Sequence, residues 1–356
     1  MPFVQPGRPA PWFAAPTHSN PQFAFSSLGG RFLLLTFLPQ DEAAAAAICE
    51  TIRENRGRFG IDQVMAFSVV RTAALHARQP EEIALRWFLD EDGALGRLYG
   101  AADEDGESPG GWLIIDPSLR VWSTGPLSQL DGAFQRIGLL PRPDDHAGTP
   151  IHAPVLIVPR ILEPAICRQL IEIYEADGGS PSGVMQQVGG KTVGVLSDFK
   201  KRRDADITDE ALKAALRQRL HARLLPEIEK AFQFKVTRME RYIVAAYDAK
   251  EGGYFRPHRD NTTTGTAHRQ FACSINLNAE DFEGGDLRFP EFGTRTYRPP
   301  TGGAVIFSCS LLHEATPVTS GRRYAFLPFF YDDAAAEVRQ ANLATIVPKA
   351  AVAEEA

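Results

Sequence analysis

The stretches YIVAAYDAKEGGYFRPHRDNTTTGTAHRQFACSINLN (Tyr242–Asn278) and FEGGDLRFPEFGTRTYRPPTGGAVIFSCSLLHEATPVTSGRRYAFLPFFYD (Phe282–Asp332) decide the fold. Short apolar runs alternate with turns rich in glycine and proline, a pattern typical of antiparallel strands. The spacing predicts a jelly roll, a double-stranded β-helix of two sheets. The expected strands are Tyr242–Tyr247, Phe271–Leu277, Asp286–Phe289, Ala304–Ser308 and Tyr324–Phe330.

Within these stretches His258 and Asp260 form a His-x-Asp pair. Alternate residues of a strand point to the same face, so both side chains can reach one metal ion. A distant histidine on another strand can complete the two-histidine, one-carboxylate set that leaves positions open on iron(II). His313 directly follows the expected strand AVIFSCSLL and is the candidate for that third ligand.

Arg323 lies ten residues after His313, on the next expected strand. The order of His-x-Asp, distal histidine and basic residue resembles that of the iron(II)- and 2-oxoglutarate-dependent dioxygenases, in the prolyl 4-hydroxylase-like branch. The resemblance covers roughly residues 159–332. It implies that His258, Asp260 and His313 bind Fe(II) and form the catalytic centre.

The same resemblance assigns Arg323 to the distal carboxylate of 2-oxoglutarate, a bidentate contact that lysine makes only as a point charge. Arg322 is adjacent but points the opposite way on a strand. Tyr247 stands where the family often places a hydroxyl against that carboxylate, and a core tyrosine is the equal alternative. His268 matches no family position and is expected to be structural or to support the ligands.

The implied function is hydroxylation of an unactivated C–H bond in a peptide, protein or amino-acid-like substrate. It would use 2-oxoglutarate and O₂, with L-ascorbate as an optional further cofactor, and release succinate and CO₂. Two alternatives stay open: a metal-binding cupin-like sensor or enzyme that does not use 2-oxoglutarate, and a thiol-redox protein of the peroxiredoxin type. Whether Tyr254, Arg259 or His268 contacts substrate also stays open.

Helices are expected before the jelly roll and would cover one of its sheets. One runs from Ile161 to Asp177, and a second from about Asp209 to Phe232 with Thr208 or Asp206 as its N-cap and a kink or split at Pro226. Between them, residues 183–203 end in the basic run DFKKRR, which is either a mobile substrate lid with a basic anchor or a solvated run before a helix.

The first 142 residues alternate strand and helix signals and predict an α/β domain. The expected strands are Arg31–Leu38, Gln63–Val70, Trp112–Asp116 and Arg120–Ser123, and the expected helices begin at Asp41, Ala94 and Leu127. The opening PGRPAPWFAAPTHSNPQFAFSSLGGRFLLLTFLP and the later AFSVVRT, FLDEDGALGRLYGA and WLIIDPSLRVW resemble peroxiredoxins of the thioredoxin superfamily. That implies a thioredoxin-like fold and leaves a homodimer through this domain open.

Peroxiredoxins carry a reactive cysteine at the entry of the first helix, where the helix N-terminus lowers the thiol pKa. This chain has Pro39-Gln40-Asp41-Glu42 there, and Cys49 comes about two turns later. We therefore expect no peroxidase activity and a docking, dimerising or substrate-presenting role.

The chain of 356 residues suits two domains. We expect a peroxiredoxin-like domain at 1–142, a linker at 143–158, the dioxygenase domain at 159–335 and a C-terminal tail at 336–356. A net charge of −6 provides no basic field for nucleic acid. No signal peptide or membrane span is recognisable, and four widely spaced cysteines favour a reducing cytoplasm.

Overall fold

A computed structural model describes residues 3–102 and 110–347. The chain divides into two compact units. The first comprises Met1–Ala153 with Pro290–Thr294, and the second Pro154–Phe289 with Arg295–Ala356. Residues 348–356 of the expected tail lie outside the described residues.

The first unit contains a five-stranded mixed sheet, a separate two-stranded sheet and helices. Its strands are β1 (Ala14–Ala15), β2 (Phe23–Ala24), β3 (Phe32–Phe37), β4 (Val64–Val70), β5 (Leu85–Leu89), β6 (Gly111–Ile115) and β7 (Val121–Gly125), and its helices are α1 (Glu42–Glu54), α2 (Ala73–Arg78), α3 (Ala94–Tyr99) and α4 (Leu130–Ile137). The sheet order is β5-β4-β3-β6-β7, with β3, β4 and β5 parallel and β6 and β7 antiparallel to their neighbours.

Strands β3 and β4 are buried along their whole length, as their continuous apolar sequences predict. A separate cluster of buried side chains lies on each face of this sheet. Helix α1 begins where expected, because the Asp41 carboxylate accepts a hydrogen bond from the Ala44 amide at 2.7 Å.

As far as residue 347, the second unit contains two larger sheets, a hairpin and four α-helices. Its strands are β8 (Leu156–Val158), β9 (Ser180–Pro181), β10 (Val184–Val188), β11 (Lys191–Val195), β12 (Lys200–Lys201), β13 (Arg203–Asp206), β14 (Arg238–Glu240), β15 (Ile243–Asp248), β16 (Tyr254–His258), β17 (Phe271–Asn276), β18 (Phe282–Gly284), β19 (Leu287–Arg288), β20 (Thr296–Tyr297), β21 (Ala304–Ser308), β22 (His313–Ala315), β23 (Val318–Phe326) and β24 (Phe329–Tyr331). Its helices are α5 (Pro164–Asp177), α6 (Glu210–Arg223), α7 (Leu225–Phe232) and α8 (Asp333–Asn342).

The large sheet has the order β14-β24-β17-β23-β15-β13-β9, and β21 and β8 join it through β17. The small sheet has the order β12-β16-β22-β19-β20. Residues of α5, α6 and α7 share one buried cluster with residues of the large sheet, so these helices cover it as expected. The small sheet contains His258 and His313, which are discussed below.

Several local expectations need correction. The N-cap of α6 is Asp209 rather than Thr208 or Asp206, because its carboxylate accepts the amides of Ala211 and Leu212. The strand expected at Tyr324–Phe330 begins earlier, at Val318, and is interrupted at Pro328, which has no N–H to donate.

Other segments gained structure that the sequence did not predict. Strand β8 lies within the expected linker, where it pairs with β21, and α8 extends into the expected tail. Residues 183–203 contain the hairpin of β10 and β11. Pro226 splits the second helix, as predicted, into α6 and α7.

Among residues 3–102 and 110–347, no helix combines the length and the apolar character needed to cross a bilayer.

Candidate metal and 2-oxoglutarate site

Two adjacent strands of the small sheet bring the histidines together. His258 closes β16, His313 opens β22, and the two are paired in register. Asp260 lies just beyond β16 rather than on it, and its amide donates to the carbonyl of Cys309 at 2.9 Å. The expectation that both members of the His-x-Asp pair lie on a strand is therefore wrong for Asp260.

The three side chains converge on one point. One oxygen of Asp260 lies 3.6 Å from Nε2 of His258 and the other 3.3 Å from Nε2 of His313. One potential ligand atom from each residue lies within 4.8 Å of the others. No other such cluster of metal-ligating side chains occurs in the described parts of the chain.

A hydrogen bond from Nδ1 orients the imidazole ring of each histidine. Nδ1 of His258 donates to the carbonyl of Arg256 at 2.8 Å, and Nδ1 of His313 donates to that of Leu311 at 3.0 Å. These bonds fix the tautomer and leave both Nε2 atoms free as ligands. Phe255 stacks on His258 with ring centroids 3.4 Å apart and restricts its rotation.

The charge states also suit a divalent metal. Burial and the neighbouring His313 lower the pKa of His258 to about 4, so this ring is neutral at physiological pH. Burial alone would raise the pKa of Asp260, but the neighbouring His313 and His258 hold it well below its usual value. Two imidazoles and one carboxylate fit iron(II) with open coordination positions.

Arg323 supplies a buried positive charge in the large sheet. Its side chain lies on β23 opposite Tyr247 of β15, with the guanidinium 5.3 Å from the tyrosine ring. It donates to the carbonyl of Gly285 at 2.7 Å and to Oγ of Ser274 at 2.8 Å. Its Nε is buried and has no hydrogen-bond acceptor within the described structure.

A buried guanidinium held only by neutral acceptors is costly unless an anion binds it. Burial lowers the pKa of Arg323, which reflects this cost. Arg322 points the other way, where it forms ion pairs with Asp248 at 2.5 Å and Glu175 at 3.0 Å. The strand alternation that favoured Arg323 over Arg322 is therefore present in the structure.

The remaining candidates occupy other positions. His268 is buried and bonds Glu240 at 3.0 Å, so it supports the sheet and does not belong to the metal cluster. The Tyr254 hydroxyl donates to the carbonyl of Asp198 at 2.5 Å. Arg259 is buried and donates to the carbonyl of Ser310.

Four charged residues of the second unit were not assigned to the site individually from the sequence: Lys200, Arg202, Asp204 and Arg241. The basic run that ends at Arg203 is not a solvated stretch, because Arg202 is 7% exposed and pairs with Asp204 at 2.7 Å. Residues 200–204 are all charged, so no alternation in the sequence could have indicated the short strands β12 and β13. No sequence signal marked Arg241.

All four cysteines are free and buried. Cys49 lies inside α1, and burial raises its pKa to about 12. A neutral, inaccessible thiol is the opposite of a peroxidatic cysteine.

Part of the second unit is similar to known proteins. Residues 242–331 match the family described as the 2OG-Fe(II) oxygenase superfamily, which confirms the resemblance expected there. A PKHD-type hydroxylase of Shewanella baltica is 29% identical over 148 residues, 38% of this chain and 63% of the relative. The chain thus spans less than two thirds of that relative.

Two solved structures are similar to parts of the chain. A prolyl-4-hydroxylase from Pseudomonas putida covers 53% of this chain and 95% of its own, with 20% identity and a TM-score of 0.37. The mitochondrial 2-cys peroxiredoxin from Plasmodium falciparum covers 38% and 93%, with 14% identity and a TM-score of 0.33.

Proposed function

From the match of residues 242–331 to the 2OG-Fe(II) oxygenase superfamily, we propose that this protein is an iron(II)- and 2-oxoglutarate-dependent dioxygenase. It hydroxylates an unactivated C–H bond of a peptide, protein or amino-acid-like substrate. The observation that carries the proposal is buried Arg323, which has no ion-pair partner among the described residues, in the same unit as a two-histidine, one-aspartate cluster.

Each residue has a distinct task. His258, Asp260 and His313 hold the iron, with their Nε2 atoms and carboxylate already aimed at one point. Arg323 binds the distal carboxylate of 2-oxoglutarate, and the Tyr247 hydroxyl assists it. Iron held there would supply the oxidation, with one atom of O₂ going to the hydroxyl group of the product and the other to succinate as 2-oxoglutarate loses CO₂.

The two larger sheets of the second unit correspond in this proposal to a double-stranded β-helix. Histidines from the small sheet and Arg323 from the large sheet face its interior. Burial of this interior excludes water and strengthens the electrostatic contacts that hold the co-substrate.

For the first unit we propose a thioredoxin-like domain related to peroxiredoxins that has no peroxidase activity. The parallel β3-β4-β5 arrangement with two antiparallel strands supports the fold, and the buried Cys49 supports the missing activity. Peroxide turnover by the protein that disappears in Cys49→Ser would contradict this assignment.

The enzymatic proposal is tested by iron-dependent succinate formation from 2-oxoglutarate. His258→Ala and Asp260→Ala should reduce it to background, because each removes an iron ligand. His268→Gln is the matched control and should retain activity, since this histidine bonds Glu240 instead. Unchanged turnover in both ligand variants would refute the proposal.

A further inference from the structure

Arg241 has an unusual backbone conformation and an unusually weak ion pair. Its φ is 66°, in the left-handed region that residues with a Cβ seldom adopt. Strained residues of this kind cluster at functional sites. Its guanidinium lies 3.7 Å from the nearer Asp204 oxygen, beyond hydrogen-bond distance, and the side chain keeps 25% exposure.

The neighbouring charges are already used in other pairs. Asp204 accepts two hydrogen bonds from Arg202, each at 2.7 Å. Glu240 accepts from Arg269 at 2.7 Å and also bonds His268. Asp260 belongs to the metal cluster. Within the described structure, Arg241 is therefore a cation without a carboxylate of its own.

A second cation, Lys200, has only neutral hydrogen-bond acceptors in the part of the chain that the structure describes. Its ammonium group donates to Oγ of Ser182 at 2.7 Å and to the carbonyl of Gly183 at 2.9 Å. It also lies 4.7 Å from the Phe255 ring centroid, and Phe255 stacks on the metal ligand His258. This chain of contacts places Lys200 beside the metal cluster.

Arg241 is linked to Lys200 by direct contacts. Oγ of Ser182, which accepts from Lys200, donates to Oδ2 of Asp204 at 2.5 Å, and Arg241 lies 3.7 Å from that same oxygen. Arg241 also lies over the Phe329 ring, with its guanidinium 5.1 Å from the centroid. A partly accessible guanidinium against an aromatic ring is suited to holding a carboxylate next to an apolar group.

We propose that Arg241, assisted by Lys200, binds a carboxylate of the substrate that is hydroxylated. This inference rests on the proposed function and adds the substrate class: an acid rather than a neutral molecule. The carboxylate comes from a free amino-acid-like molecule or from an acidic peptide side chain.

A series of contacting side chains connects the Arg241 site with the proposed 2-oxoglutarate site. Arg202 donates from Nη1 to the Tyr247 hydroxyl at 3.5 Å and from Nε and Nη2 to Asp204, which in turn faces Arg241. Tyr247 lies against Arg323 on the other side. The two carboxylates are thus held by separate arginines joined through Arg202 and Asp204.

The test is calorimetric titration of the full-length protein under anaerobic conditions with Mn(II) and 2-oxoglutarate bound. One arm uses N-acetyl L-amino acids, each paired with its primary amide. The other uses blocked dipeptides that differ only in Glu or Gln. Wild type, Arg241→Ala and Arg238→Ala are compared; Arg238 is an exposed arginine that pairs with Asp333.

We expect at least one acid to bind wild type about tenfold more tightly than its neutral partner, and the arm in which it occurs identifies the source. Arg241→Ala should remove this preference and keep metal-dependent 2-oxoglutarate binding, whereas Arg238→Ala should keep both. Equal binding of acid and neutral partners, no binding of any acid, or an undiminished preference in Arg241→Ala would overturn the inference. A loss of 2-oxoglutarate affinity in Arg241→Ala as large as its loss of affinity for the acid would also overturn the inference. Failure of wild type to bind 2-oxoglutarate would instead refute the proposed function.

Discussion

The two units bury polar groups in different ways. In the first unit, buried His76 makes a hydrogen bond to the carbonyl of Trp87 and buried Thr36 lies inside a continuous apolar strand. In the second unit, Arg323 is buried and has no ion-pair partner in the described structure, whereas buried Arg202 pairs with Asp204. Uncompensated buried charge is expensive, so Arg323 indicates where an anionic ligand binds.

The largest predicted effect is on 2-oxoglutarate affinity, and it should differ between two adjacent arginines of the second unit. Arg323→Ala should weaken 2-oxoglutarate binding by about 10- to 100-fold, because charge-assisted hydrogen bonds to the distal carboxylate are lost. Arg322→Ala is the matched control and should leave affinity unchanged, since its partners are Asp248 and Glu175. Equal effects of the two substitutions on the dissociation constant would contradict the assignment of Arg323.

The next effect concerns a structural ion pair of the second unit. Burial alone would raise the pKa of Glu240, but His268 and Arg269 lower it to about 2 overall. A carboxylate whose pKa is lowered by folding stabilises the fold at pH values above its pKa in the unfolded chain, which is near 4.5. This contribution is lost as pH falls towards 2. The stability difference between wild type and Glu240→Gln should shrink by about 2 kcal/mol between pH 6 and pH 3.

Denaturant unfolding at the two pH values measures this difference. A constant difference would show that Glu240 keeps an ordinary pKa in the folded protein.

The smallest effect on activity should come from the first unit. Cys49→Ser places a hydroxyl in an apolar site and should destabilise the fold by about 1–2 kcal/mol. It should not change succinate formation, because the thiol takes no part in the reaction. A loss of turnover without a loss of folded protein would give the first unit a catalytic role.

The sequence predicted those parts of the site that follow from periodicity and spacing. Buried runs located β3, β4 and β21, and alternation along a strand distinguished Arg323 from Arg322. Pairing of His258 with His313 was expected only through the family resemblance, because contacts between strands 55 residues apart are not visible in local patterns.

The positions of Arg241, Lys200 and Arg202 could not be predicted, for physical reasons. Arg241 enters the site through a left-handed backbone conformation, which neither composition nor period indicates. Lys200 and Arg202 belong to a basic run, and such runs are usually solvated. Their burial results from pairing of β12 with β16 and of β13 with β15, which are long-range contacts.

The central claim is that the metal cluster and Arg323 together bind 2-oxoglutarate. The most direct test is an anaerobic titration of wild type and Asp260→Ala with 2-oxoglutarate, with and without Fe(II). We predict one binding site in wild type that requires the metal, and loss of that metal dependence in Asp260→Ala. Binding by wild type that is equal with and without Fe(II), or no binding at all, would contradict the account.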